Sequence, residues 1–181
     1  MRKTRPPRAL LKSTTGYNIN GMKDKIKIYT DGAAKGNPGP AGWGAVFLWG
    51  SKIFEIGGRV NHATNNQMEL TAPIEALKYI KKHLARQGLV ESGVEVISDS
   101  KYVILGITEW IFNWQKKNWR NANKKPVLNK ELWQELHKLT EELKPKWQYV
   151  EGHNGNKWNE RADEIATSFA EGEPVKLRNK K

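Results

Sequence analysis

Cysteine is absent from the 181 residues. That excludes disulfides, thiolate zinc centres and cysteine nucleophiles together, and it suits a reducing compartment. Long apolar runs are absent as well. No stretch approaches the roughly 20 residues needed to cross a bilayer, and no signal-peptide core follows the basic start. The expectation is a soluble, cytoplasmic protein with no membrane partner. Acid is in deficit: 19 Asp+Glu face 31 Lys+Arg, which leaves a formal net charge of +12 and an isoelectric point near 9.8. A polyanion is the natural partner for such a chain. Residues 1–24 hold +5 of that charge and the remainder +7, so the body is basic too. With 38% hydrophobic residues, a chain of this length can bury one sizeable core without covalent staples. No repeat or linker divides its middle, so one domain is expected.

Residues 1–23 lack apolar periodicity, include Pro6 and Pro7, and are mostly basic or small and polar. They read as a disordered basic extension. A phosphate-seeking arm, an organellar targeting peptide and a start codon assigned too early (Met22 opens onto the first strand) all account for it. The domain then spans residues 24–170, and residues 171–181 read as a flexible tail. Within the domain, Lys25–Thr30 alternates as a strand does, and Trp43–Trp49 and Lys52–Val60 flank a hairpin turn at Gly50-Ser51. Thr64 with Gln67 forms a capping box, ahead of an apolar stripe at Leu70, Ile74, Leu77 and Leu84. Pro73 lies inside that helix and should bend or widen it between Glu69 and Pro73. Val94–Ser98 reads as a strand and Ser100–Lys117 as helix. Leu132, Leu136, Leu139 and Leu143 mark another helix, Trp147–Glu151 a short strand and Asn159–Ala170 a last helix. This order implies an α/β fold, a mixed sheet flanked by helices.

Asp31 and Asp99 sit at the ends of expected strands, where layered α/β folds form ligand crevices. Turn and cap chemistry accounts for either acid taken alone. The loop after Asp31, Gly32–Pro40, is nearly free of bulky side chains, so backbone there can approach a ligand closely. Glu69 and Asp163 lie on helices, where surface charge accounts for each separately. His153 alone among the four histidines stands in a glycine-flanked loop, which suits proton transfer near neutral pH. Trp110, Trp114 and Trp119 are interleaved with Lys116, Lys117, Arg120, Lys124, Lys125 and Lys130. Core packing and a nucleic-acid groove both explain that pattern.

Five short motifs in order change the reading. Tyr29-Thr30-Asp31-Gly32 with Gly36-Asn37-Pro38-Gly39, Thr64-Asn65-Asn66-Gln67-Met68-Glu69-Leu70, Ser98-Asp99-Ser100, Gly152-His153 and Asn159-Glu160-Arg161-Ala162-Asp163-Glu164 resemble bacterial type 1 ribonuclease H. The resemblance runs from about Lys25 to Phe169. It implies the ribonuclease H-like fold, a five-stranded mixed sheet with helices around it. It also implies a monomeric endonuclease that hydrolyses the RNA strand of an RNA–DNA hybrid, leaving 3′-hydroxyl and 5′-phosphate ends.

By the same resemblance, Asp31, Glu69, Asp99 and Asp163 surround two Mg²⁺ ions, for which Mn²⁺ can substitute. Asp31 bridges, Glu69 and Asp99 hold the first metal, and Asp99 can swing aside for Asp163. Two Mg²⁺ roughly 4 Å apart activate a water and stabilise the leaving oxygen, and Mg²⁺ takes hard oxygen ligands. His153 is assigned to proton handling or product release. Asn37, Asn65 and Asn66, able both to donate and accept, suit the RNA 2′-hydroxyl. Thr64 and Asn129 belong to a DNA-phosphate pocket, with His62 where the family often has arginine. Trp110, Trp114, Trp119, Lys116 and Lys117 belong to a basic protrusion that grips the DNA strand, with Gln115 where a lysine is often found. Strand transfer, as in integrases, is the enzymatic rival, but their extra DNA-binding domains are lacking. A catalytically dead hybrid-binding module is disfavoured by the presence of all four acids.

Overall fold

The computed structural model describes residues 25–83 and 93–178. The expected basic extension, and Leu84 of the apolar stripe, lie outside the described residues. Strands β1 (Ile26–Ala34), β2 (Gly39–Trp49) and β3 (Lys52–Ala63) form an antiparallel meander. Strand β4 (Val94–Ser98) pairs parallel with β1, and β5 (Lys146–Tyr149) pairs parallel with β4. The result is the expected five-stranded mixed sheet, in the order β3-β2-β1-β4-β5. Pairing of Trp49 with Lys52 closes the first hairpin over Gly50-Ser51, and Gly50 takes φ 58°, a conformation open to a residue without a β-carbon.

Several strand boundaries differ from expectation: β2 starts at Gly39 rather than Trp43, and β3 runs on to Ala63 rather than Val60. β1 runs on to Ala34, because Gly32, Ala33 and Ala34 pair with Trp43, Gly42 and Ala41. Asp31 therefore stands inside a strand, opposite Gly44, rather than beyond its end. β5 starts at Lys146 and ends at Tyr149, although the Val150 amide still donates to the Ser98 carbonyl at 3.1 Å.

Helix α1 (Asn65–His83) opens on the expected capping box: the Thr64 amide donates to Gln67 Oε1 at 2.8 Å, and the Gln67 amide donates to Thr64 Oγ1 at 3.2 Å. Pro73 does not widen it. The chain stays α-helical through Pro73, which is buried, and Thr71 Oγ1 donates to the Gln67 carbonyl one turn below. The widened turn lies elsewhere. Between α2 (Lys101–Leu105) and α3 (Ile111–Lys116), residues Gly106–Trp110 form a π turn. A β-carbon on Gly106 would meet the Trp133 ring at 2.0 Å, so glycine at this turn makes room for a fully buried tryptophan.

Trp133 belongs to α4 (Lys130–Leu143), which packs with α1 on one face of the sheet. Ile26, Ile28, Phe47, Val94 and Val96 meet Leu70, Ile74, Leu77 and Leu136 there. The opposite face takes α5 (Lys157–Glu171), through Val46, Ala162 and Ile165. α5 comes very close to the sheet, because β-carbons on Gly42 and Gly44 would lie 2.3 Å from the Ala166 carbonyl and 2.6 Å from that of Ala162. The segment expected as a flexible tail packs on the domain as far as it is described. α5 ends on Gly172 at φ 84°, and Val175 and Leu177 then pack with the apolar cluster under α5. Only residues 179–181 of that tail fall outside the described residues.

The glycine seat of α5 yields a measurable expectation. Gly42→Ala should destabilise the protein by about 1–3 kcal/mol, the usual cost of forcing extra volume into packed backbone. Urea denaturation should show a lower midpoint with an unchanged slope. A loss below about 0.5 kcal/mol, within the range of ordinary surface substitutions, would mean that α5 rides freely on the sheet.

Candidate active site

Four acidic residues come from four different elements. Asp31 shares its side of β1 with Tyr29, which packs with the α5 layer. Glu69 arrives from the opposite layer, on α1. Its approach depends on Gly32, where a β-carbon would lie 2.2 Å from the Glu69 amide nitrogen. Asp99 follows the last residue of β4, and Asp163 lies midway along α5, where Thr167 Oγ1 donates to its Oδ1 at 3.3 Å.

The four act on one another. Burial and then the charge of Asp99, with smaller contributions from Asp163 and Glu69, push the Asp31 carboxyl up to about 8 against the opposing hydrogen bond from Gly32. That bond runs from the Gly32 amide to Asp31 Oδ1 at 2.7 Å. Burial and the Asp99 charge likewise raise the Glu69 carboxyl, opposed by its hydrogen bonds from Ser100 and Asn65. Ser100 Oγ donates to Glu69 Oε2 at 2.5 Å, and Asn65 Nδ2 donates to Oε1 at 2.8 Å. Asn159 Nδ2 donates to Asp99 Oδ2 at 2.8 Å. Neutral donors thus orient the carboxylates without cancelling their charge.

Among the described residues, no three acidic or histidine side chains converge closely enough to coordinate one ion. The donor set nevertheless fits a hard divalent cation: every candidate ligand is a carboxylate oxygen. The raised Asp31 carboxyl reports its burial first and then the negative charges of Asp99, Asp163 and Glu69, both of which such an ion would offset.

The loop bearing His153 passes directly beside this cluster. A β-carbon on Gly152 would lie 2.7 Å from Asp99 Oδ2, so glycine is needed for that approach. His153 is exposed and takes φ 53°, the left-handed region that side chains seldom adopt. Asn154 Nδ2 ties the loop to Glu151 Oε2 at 3.1 Å.

The expected substrate residues divide into groups. Asn37 is exposed, and its Oδ1 accepts from the Asn65 amide at 3.1 Å, which joins the loop after β1 to the start of α1. Asn66 is exposed beside them, whereas the Asn65 side chain is already engaged with Glu69. Thr64 is occupied in the capping box, and His62 is exposed near the end of β3. Asn129 takes φ 57°, and its Nδ2 donates to the Tyr102 hydroxyl at 3.2 Å. The tryptophans serve both expected purposes. Trp114 and Trp119 are partly buried against the core, with Trp114 5.3 Å from Trp133 between ring centres. Trp110 is 36% exposed and lines a shallow cleft with Asn113, Trp114, Lys117 and Arg120. Lys116, Lys117 and Gln115 are exposed around it.

The roles of Ser100, Asn159, Gly152 and Tyr102 are not legible in the sequence. The first three lie in the quoted motifs, but nothing in their spacing says which carboxylate each one touches.

The family model for RNase H matches residues 23–171. The chain belongs to the ribonuclease H family. A ribonuclease H of Thermosynechococcus vestitus is 49% identical over 152 residues, covering 83% of this chain and 92% of its own. That of Bradyrhizobium diazoefficiens is 48% identical over 141 residues, covering 78% and 86%. Among solved structures, LC9-RNase H1, described as a type 1 RNase H with the type 2 active-site motif, matches with a TM-score of 0.71 at 26% identity, covering 87% of this chain and 78% of that one. LC11-RNase H1, solved in complex with an RNA/DNA hybrid, matches at 0.59 and 30% identity, covering 81% and 97%. Membership in the ribonuclease H family implies dependence on a divalent metal, which agrees with the all-carboxylate donor set.

The raised Asp31 carboxyl has a thermodynamic consequence for this ribonuclease H. Between its ordinary 3.8 and about 8, the folded protein binds a proton at Asp31 that the unfolded chain has released. Stability must therefore fall as pH rises through that window. In chelator, the melting temperature should decline from pH 5 to pH 8, and Asp31→Asn should flatten the decline while raising the melting temperature at pH 8. A parental protein whose metal-free stability is level across that range, or an Asn variant no more stable at pH 8, would contradict the electrostatic picture of the site.

Proposed function

We propose that the chain is an endonuclease that hydrolyses the RNA strand of RNA–DNA hybrids, leaving 3′-hydroxyl and 5′-phosphate ends. It acts as a cytoplasmic monomer and uses two Mg²⁺, which Mn²⁺ can replace. The observation that carries this reading is that Asp31, buried in β1, feels the charges of Asp99 at the end of β4, Asp163 on α5 and Glu69 on α1. Asp31, Glu69, Asp99 and Asp163 would hold the metals, Asp31, Glu69 and Asp99 toward one ion and Asp163 toward the other. When bound, the metals supply an activated water and stabilise the leaving 3′ oxygen.

The chain's own residues do the rest. Ser100, Asn65 and Asn159 hold the carboxylate oxygens of Glu69 and Asp99 in fixed directions, so little reorganisation is needed when substrate arrives. His153, exposed on a loop beside Asp99, moves a proton or helps product leave. Asn37 and Asn66 lie where the RNA strand's 2′-hydroxyls are read, with Asn65 sharing that edge through its backbone. Thr64, His62 and Asn129 hold a DNA phosphate. Trp110, Trp114, Trp119, Lys116 and Lys117 form the DNA-strand handle, in which Trp110 presents its ring and Trp114 and Trp119 brace it from the core.

Cleavage of a labelled hybrid with and without Mg²⁺ tests the reading. The parent should cut only with metal, and only the RNA strand. Asp31→Asn should bind hybrid within a few fold of the parent and fail to cut. His153→Ala should slow turnover by roughly 10²-fold, at the low end of acid–base contributions. An Asp31→Asn enzyme with near-parental turnover would remove the carboxylate assignment.

The handle is tested separately. Lys116 and Lys117 should bind phosphates equally in ground and transition states, which affects KM and not kcat. Their double change to Ala should raise KM and reduce the slope of log affinity against log salt by about 2, near one per lost contact. A loss of kcat at constant KM would place these lysines outside the handle.

A further inference from the structure

The close seat of α5 poses a mechanical problem. Glycines at positions 42, 44 and 57 let the helix approach the sheet, but a bare glycine surface offers few side chains to resist sliding along it. Resistance comes from a charged pair beside that seat, one turn before Ile165 on α5 and two residues before Gly57 on β3. Glu55, on the edge strand β3, has a side chain with 0% exposure. It accepts two parallel bonds from the Arg161 guanidinium, Nε to Oε1 at 2.9 Å and Nη2 to Oε2 at 2.8 Å. Such a two-bond fork fixes direction as well as distance. Arg161 precedes Asp163 by two residues, about 3 Å along the helix axis.

The segment after α5 closes over this pair. Arg161 Nη2 also donates to the Lys176 carbonyl at 2.9 Å. The Arg178 amide donates to Glu55 Oε2 at 2.9 Å, and the Glu55 amide donates to the Arg178 carbonyl at 2.8 Å, which uses backbone groups on the free edge of the sheet. The Val175 amide donates to Ser168 Oγ at 3.2 Å, and the Arg178 guanidinium lies over the Trp158 ring at 5.6 Å. Burial alone would raise the Glu55 carboxyl; the bonds and charges of Arg161 and Arg178 outweigh it and hold it below its ordinary range. The carboxylate is thus bound from α5 and from the segment after it at once.

We propose that Glu55, Arg161 and the strap Glu173–Arg178 form a clamp that sets the position of α5 and thereby of the Asp163 carboxylate. Glu55 and Arg161 are positioning residues, since their charged groups are engaged with each other, Glu164 and the strap. The inference rests on Asp163 being a ligand of the second metal. Loosening the clamp should then weaken metal use while leaving the hybrid-binding face, on the other elements, intact.

Two variants loosen it in the full-length chain: Glu55→Gln, which keeps the side chain's size but leaves Arg161 with only exposed Glu164 as a charge partner, and the milder Leu177→Ala, which weakens the strap alone. Glu55→Gln should raise the half-saturating Mg²⁺ concentration by about 10-fold, the low end of losses seen when partners of metal ligands are removed, with KM for hybrid within 2-fold of the parent, taken as no change. Leu177→Ala should shift Mg²⁺ dependence in the same direction by less. In the metal-free protein, hydrogen exchange at the α5 amides should accelerate in both variants while exchange in α1 stays as in the parent. Asp163→Asn supplies the decisive background: there Glu55→Gln should change cleavage by less than about 2-fold, because residues acting through one group are not additive. Should Asp163→Asn alone cut at the parental rate, the ligand assignment fails and the clamp with it. Should Asp163→Asn lose cleavage while Glu55→Gln or Leu177→Ala melts earlier yet keeps the parental Mg²⁺ dependence, the ligand assignment stands and the clamp is overturned as a purely structural contact. If Glu55→Gln does not fold, Leu177→Ala with unchanged Mg²⁺ dependence overturns it equally.

Discussion

Mutual repulsion among four carboxylates is the constraint to which the rest of this fold answers. Asp31 is buried in a central strand and carries the added fields of Asp99, Asp163 and Glu69. Packing must hold four like charges near one another, which no local preference of the chain would do. Glycines allow the close approaches: Gly32 under Glu69, Gly44 under the turn before Asp163, and Gly152 against Asp99. Neutral hydroxyl and amide donors then fix the carboxylate oxygens. Lysine or arginine in those places would stabilise the folded chain more, but would satisfy the charge that a divalent ion must find unsatisfied.

The positive charge of the molecule is kept elsewhere. Arg161, beside Asp163 in sequence, is turned to Glu55 and Glu164 and so does not neutralise the cluster. The exposed lysines of the tryptophan-rich region stand on a segment held from inside. Trp114 packs on Trp133, Trp133 donates to the Tyr102 hydroxyl, and Gly106 in the π turn makes room for the ring. One set of tryptophans therefore belongs to both the core and the surface. Charged groups that screen easily in water gain direction from aromatic rings that are held still.

The parts legible in the sequence were those encoded within a few residues. The Thr64–Gln67 capping box, the Gly50-Ser51 turn and the apolar stripe of α1 each need only their own neighbours, and the structure has the box, the turn and the stripe from Leu70 to Leu77. Expectations failed where a distant partner decided the outcome. β1 extends past Asp31 because β2 offers Gly42 and Ala41 to pair with it. The chain after Gly172 looks frayed by composition, yet it lies against Glu55, more than a hundred residues away in sequence. Pro73 pointed to a bend or a widened turn in α1; of these the widened turn is absent there and lies at Gly106, opposite a tryptophan on another helix.

The sequence by itself determined the chemistry available: four acids in family order, a glycine-flanked histidine, and aromatic residues among lysines on a chain without cysteine. It also determined the period of most elements, because periodicity is a property of neighbouring residues. Only the tertiary structure decided which face each acid meets, that Ser100 serves Glu69 and Asn159 serves Asp99, and that Arg161 turns away from the cluster to a buried glutamate. Those choices depend on how closely separate elements approach, and that distance is set by side-chain volume at contacts far apart along the chain.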